Sequence, residues 1–318
     1  MATSRLKRCI SFCGVIALFP GCTSQSVSST PQGSTQFGVV SADAAQDLLY
    51  IANGGGIVFI YSYPAGKLLR KLTGFPLQMP GGECADKAGN IYITNSGYST
   101  SGKSSILKYA HGGTHPIETL EDKRESPIGC SIDPATGNLA VTNRATLAIY
   151  KDAKGSPKIY AYPRNFSGMF CGYDDTGNLF VDGSRNLNYG SLAELSKGGT
   201  AMVGITLNAK IHLFAPFGPG SVQWDGKYVG LGDGVGTIHR FTIVGGKGTQ
   251  VGKTTLDGSR NPGAFWILGT TVVSGNRTAK SVMIWRYPNA GQPIRTISNV
   301  GYSDGVAVSV AASGSRRN

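Results

Sequence analysis

Six positions carry the residue types that could do chemistry in this chain: Asn53, Asn95, Asn143, Asp182, Asp233 and Asn276. Each follows a short apolar run, and they recur at intervals of roughly 40 to 50 residues, the length of one repeat in several all-β arrays. Amide and carboxylate oxygens brought to one rim could coordinate a hard divalent cation such as calcium, or hydrogen-bond a sugar. The competing reading is turn chemistry, because Asn and Asp side chains bond their own backbone where a strand ends. Recurrence in every repeat favours that second reading.

These positions must be placed by the segments around them. Asp86 leads to Gly89-Asn90, Asp133 to Gly137-Asn138 and Asp174 to Gly177-Asn178, each between two apolar runs. Gly and Asn tolerate the positive φ of a tight turn, so each is a hairpin signal. Two further runs follow in each repeat, such as Ile106 to Tyr109 and Ile117 to Leu120. The fold predicted is all-β: a six-bladed β-propeller of four-stranded antiparallel blades, after an N-terminal signal segment. Glycine supports this, with 46 of 318 residues, roughly twice the usual share and without the Gly-X-Y period of collagen. Either Val39 to Asp43 or Gly305 to Ser309 supplies the innermost strand that locks the ring.

The N-terminus reads as an export signal. Arg5, Lys7 and Arg8 precede the apolar stretch Cys9 to Phe19, which is too short to be a typical spanning helix. Phe19-Pro20-Gly21-Cys22 resembles a bacterial lipobox, which implies lipid attachment at the sulfur of Cys22. The expected organisation is a lipoprotein-type signal peptide over 1–21, a Ser/Thr/Gln-rich tether over 22–36, one propeller domain over 37–312 and a disordered tail over 313–318. That places the chain outside the cytoplasm, lipid-anchored at the bacterial cell envelope.

The formal charge is +12, with the bases scattered rather than in a dense run. This gives no support to nucleic-acid binding; an envelope protein, a glycan and the membrane itself are the expected partners. Cys84, Cys130 and Cys171 follow the signal region, an odd number that cannot pair completely, and no Cys/His spacing supports zinc. His111 and His115 cannot share a helix, because Gly112-Gly113 and Pro116 intervene, and they read as solvated loop residues. His239 reads as facing outward from its strand. No Gly-x-Ser-x-Gly elbow is present. Gly54-Gly55-Gly56 and Gly232 to Gly236 open no helix, so they do not read as phosphate loops. Aromatics recur on third and fourth strands as packing; Trp224 and Trp266 differ, lying on first strands near the channel.

The repeats resemble the propeller superfamily that includes NHL-repeat proteins and the gluconolactonase (senescence-marker) family, and the whole is similar to bacterial propeller lipoproteins. The gluconolactonase resemblance implies a metal site with a Glu near a first strand, loop Asn residues and an Asp-Gly. Glu83 and Asp304-Gly305 match parts of it. The family's Asn-Gly loop motif is absent from the first-strand starts, which read Pro80-Gly81, Ser126-Pro127, Ser167-Gly168, Pro219-Gly220 and Pro262-Gly263. The ligand-binding candidates are therefore Asn53, Glu83, Asn95, Asn143, Asp182, Asp233, Asn276 and Asp304, with no catalytic residue assigned. The expected role is a binding or scaffold module. The alternatives are a metal-dependent hydrolase on Glu83, Asn143, Asp182 and Asp233, and a structural subunit of an envelope complex.

Overall fold

Strand β1 (Leu48–Asn53) is buried at every position, because it is covered on both faces. Leu49 and Ile51 pack with Val273 and Ile284 on one side. Leu48, Tyr50 and Ala52 pack with Ile91 and Ile93 on the other. A strand sandwiched in this way reads as a continuous apolar run rather than an alternation.

The computed structural model describes residues 45–74, 79–96, 104–122, 126–185, 189–213 and 220–312. The signal segment, Cys22, the tether, Val39 to Asp43 and the 313–318 tail lie outside these residues. After β1 come β2 (Ile57–Ser62) and β3 (Leu68–Leu72), then β4 (Pro80–Ala85), β5 (Ile91–Asn95), β6 (Ser104–Tyr109) and β7 (Pro116–Asp122). Next are β8 (Gly129–Ile132), β9 (Leu139–Thr142), β10 (Thr146–Tyr150) and β11 (Lys158–Ala161). They are followed by β12 (Ser167–Tyr173), β13 (Leu179–Ser184), β14 (Gly190–Leu195) and β15 (Val203–Leu207). The chain continues with β16 (Val222–Trp224), β17 (Val229–Gly232), β18 (Thr237–Val244) and β19 (Lys247–Thr255). It finishes with β20 (Phe265–Leu268), β21 (Thr271–Asn276), β22 (Ser281–Arg286), β23 (Arg295–Ser298) and β24 (Ser303–Ser309).

These strands form antiparallel meanders in a propeller arrangement. Sheets of order β4-β5-β6-β7, β8-β9-β10-β11 and β20-β21-β22-β23 each follow the chain. A fourth, β24-β1-β2-β3, takes its first strand from the C-terminal end, so Ser303–Ser309 closes on β1. Separate four-stranded sheets are predicted throughout; β12–β15 and β16–β19 instead join into one sheet of eight. The link is short and parallel, Thr206 to Lys247 and Leu207 to Gly248. The β18–β19 hairpin, with strands of 8 and 9 residues, is long enough to reach its neighbour's outer strand.

The turns follow the sequence. Gly89, Gly137 and Gly177 have φ of 81°, 75° and 92°, which L side chains rarely adopt. Asp86 Oδ1 accepts from Asn90 N at 2.9 Å, and Asp174 Oδ1 from Asn178 N at 2.8 Å. Ring closure has its own clasp. His111 hydrogen-bonds Ser309 on β24 through Nδ1 and the Gln46 carbonyl before β1 through Nε2. This corrects the solvated reading of His111, which is half-buried; His115 is exposed.

Candidate functional site: the axial channel

The strand-end residues are consumed by the fold to different degrees. Asn53 donates to Val300 O at 3.0 Å and accepts from Gly55 N at 2.8 Å. Asn276 donates to Gly258 O at 2.7 Å and accepts from Ala279 N at 3.0 Å. Asp233 accepts from Val235 N and Thr237 N, and its other oxygen faces His239 Nε2 at 3.3 Å. His239 is therefore buried against Asp233, not outward. Asn95 and Asn143 are fully buried, and neither amide has a hydrogen-bond partner.

Asp182 is displaced from this ring by one residue. Val181 pairs with Cys171 as Val141 pairs with Cys130 and Ile93 with Glu83. Gly183 thus holds the position of Asn95 and Asn143, and Asp182 that of Thr94 and Thr142. Those threonines tie a sheet to the next one, through Ile128 O and Met169 O. Asp182 does the same between two four-strand runs, accepting from Phe170 N in its own run and from Ser221 N, just before β16, at 3.1 Å. Burial raises its pKa to about 7 against the pull of these two amides. Asp304 is held by Arg277 at 2.7 Å, and burial raises its pKa despite that guanidinium.

Glu83 is the one candidate among the residues that line a central cavity, and its carboxylate oxygens are sealed from it. The edge strands β4, β8, β12, β16, β20 and β24 all contribute residues to the lining of a cavity of about 200 Å³. Glu83 lines it, as do Pro134, Asp174 and Asp175 from the β8–β9 and β12–β13 turns. Glu83 is 5% exposed, and neither carboxylate oxygen has a hydrogen-bond partner. The Ala52 N–H on β1 faces it outside hydrogen-bond geometry, and burial pushes its pKa well above the carboxylate range. Beside it, Cys84 and Cys130 form a disulfide between neighbouring sheets, leaving Cys171 as a buried thiol.

Aromatic side chains supply much of the wall: Phe170, Tyr173, Trp224, Phe265 and Trp266. Trp266 touches apolar clusters from three successive sheet interfaces, so its indole reaches across the channel. The indole N–H groups of Trp224 and Trp266 are buried without partners. Gln223, by contrast, is spent on both backbone groups of Ile267. Among the described residues, no three His, Cys, Asp or Glu side chains come together to hold a metal.

No family model matches the chain, and no curated protein matches it. Solved structures do. A chain of a nidogen/laminin complex is 16% identical, covering 83% of this chain and 99% of its own with a TM-score of 0.61. A protein of unknown function from Bacteroides caccae is 12% identical over 83% of this chain and 98% of its own, with a TM-score of 0.61. A functionally unknown protein from Desulfotomaculum acetoxidans is 10% identical over 83% and 99%, with a TM-score of 0.55. At such identities the likeness carries the fold alone. The class defined by sheet order and likeness together is the β-propeller.

Proposed function

We propose that this chain is a six-bladed β-propeller, exported and lipid-anchored through Cys22, that works as a binding module at the cell envelope. Six apolar clusters among the described residues, one between each pair of successive four-strand runs, favour six blades over a count by separate sheets. The edge pairing of β15 with β19 then links two blades. A disulfide between Cys84 and Cys130 suits an oxidising compartment outside the cytoplasm. Its relation to the NHL and gluconolactonase propellers is part of the same reading.

The observation that carries the binding role is the contrast between ring and channel. Four of the six ring residues serve turns and blade-to-blade ties and Asn95 and Asn143 lie buried without partners, while the cavity is lined by Phe170, Tyr173, Trp224, Phe265 and Trp266. The hydrolase alternative would need Asp182 and Asp233 released from their backbone amides. A rigid ring presenting its channel and rim loops to an envelope protein or glycan needs no such release.

The test uses labelled palmitate in the native host, followed by cross-linking in intact cells. Wild type should incorporate label, fractionate with membranes and cross-link to an envelope component, and Cys22→Ala should lose the label. An unlabelled wild-type protein that fractionates like Cys22→Ala would refute the anchored reading.

A further inference from the structure

We propose that the ring end of the molecule, where Asn143 and its counterparts lie, binds an acidic polysaccharide of the uronate type. Its cationic contacts are Arg144, Arg164, Arg185, Lys210, Arg260 and Lys280, with Tyr189 and Tyr302 as stacking faces. This rests on reading the chain as an exported binding module.

Topology brings these residues to one end. Thr94, Thr142 and Asp182 tie successive four-strand runs together there, through Ile128 O, Met169 O and Ser221 N. Arg144 stands in the β9–β10 turn, and its carbonyl accepts from Gly168 N at the start of β12. Arg164 lies in the loop that leads into that same strand. Arg185 follows β13 and lays its guanidinium over Gly204, where a Cβ would displace it. Tyr189 bridges to His212, close to Lys210. Arg260 and Lys280 flank a further tie, from Arg277 N to Asn261 O.

Charge is one-sided. The six basic residues are all exposed. Carboxylates in the same loops are spent: Asp182 and Asp233 are buried on backbone amides, Asp257 accepts from Gln292, and Asp304 is held by Arg277. The opposite end mixes signs, with Lys87, Lys154, Lys197 and Lys227 among turns that also carry Asp86, Asp152, Asp175 and Asp225. A basic surface on one end concentrates polyanions. Guanidinium forks meet planar carboxylates in two hydrogen bonds, the geometry of a uronate group.

The aromatics favour a sugar. Lys210 Nζ lies 5.5 Å from the Tyr189 ring centroid and Lys280 Nζ 5.7 Å from that of Tyr302. Tyr302 is 58% exposed. The negative face of such a ring attracts the C–H groups of a sugar, while the ammonium beside it meets the acid group. Polynucleotides carry comparable charge, but the Cys84–Cys130 disulfide suits a compartment outside the cytoplasm. The chain enters β1 at the opposite end, where Leu48 pairs with Ser309, whereas Asn53 pairs with Ser303. An anchor upstream of β1 therefore joins this domain at the end away from the rim.

Calorimetric titration of the full, detergent-solubilised chain tests this with a galacturonate hexamer, neutral maltohexaose and a thymidine deoxyribonucleotide hexamer. Galacturonate should bind at least tenfold more tightly than either of the others. Arg144→Glu and Lys280→Glu, both at exposed sites, should each weaken it at least threefold. Lys154→Glu, exposed at the opposite end, should leave it unchanged. Tyr302→Ala should weaken galacturonate and spare any residual nucleotide binding. Equal affinity for galacturonate and nucleotide, or galacturonate binding indifferent to Tyr302→Ala, overturns the sugar assignment. Equal weakening by Lys154→Glu and Arg144→Glu overturns the placement on the ring end. Absence of galacturonate binding overturns the proposal outright, and leaves the palmitate and cross-linking results to decide the anchored binding module separately.

Discussion

Gly82 and Gly129 meet backbone to backbone at the axis: a Cβ on Gly82 would lie 2.7 Å from the Gly129 Cα on the next innermost strand. A Cβ on Gly129 would in turn lie 2.9 Å from the Phe170 Cα. Strands that converge this closely leave no space for a side chain on that side. Part of the chain's high glycine content is thus the geometry of a narrow ring. Gly129→Ala is expected to lower unfolding free energy by about 1–3 kcal/mol, the usual penalty of overpacking. Urea denaturation checks it; an unchanged midpoint would mean the strands can part.

The Cys84–Cys130 disulfide closes a separation of 46 residues between adjacent sheets. Thiol titration of the denatured compact unit Val40–Asn318 should find one reactive thiol, Cys171, rising to three after reduction. Cys84→Ser should cost about 2–4 kcal/mol of stability.

Asp182 makes stability fall as pH rises. Its folded pKa, about 7, lies above the ordinary value of 3.8 for this carboxyl. The folded state therefore holds a proton that the unfolded state has released, and stability declines between these two values. The upper bound of this contribution is about 4 kcal/mol. Asp182→Asn should flatten the profile over that window. It keeps an acceptor for Phe170 N or Ser221 N, so the fold should survive. An unaltered pH profile would remove Asp182 as the cause.

Glu83 adds to the same slope. Burial holds its proton well above the carboxylate range, so the folded state stays protonated where the unfolded state, at the ordinary value of 4.5, does not. Stability therefore falls as pH rises past that value. Tyr50 on β1 also faces it, with its own hydroxyl pushed up to about 12, so it stays neutral. Glu83→Gln should flatten the part of the profile that Asp182→Asn leaves, measured by urea denaturation across pH. A slope that Glu83→Gln leaves intact would argue against a buried proton on Glu83.

Much of this was legible in the sequence, and the gaps have physical causes. The hairpins at Gly89, Gly137 and Gly177 were legible because turn chemistry is local. The register of Asp182 was not: near its strand end only one residue separates a ring position from a blade-to-blade tie, and a one-residue shift changes the face. The pairing of Cys84 with Cys130 depends on which sheets are neighbours, which spacing does not encode. His111 looks like a loop histidine until Ser309 and Gln46 arrive from the two ends of the chain. The burial of Glu83 was not legible, because it follows from the packing of β4 against β1, which spacing does not encode.

The most direct test of the account maps lysine acetylation by mass spectrometry, with and without the galacturonate hexamer. Lys210 and Lys280 stand at the ring end, Lys154 and Lys197 stand in turns of the opposite end, and all are exposed. The account predicts that the hexamer protects the first two and leaves the others reactive. Protection spread evenly over both ends, or absent from Lys210 and Lys280, would contradict a ligand site on the ring end.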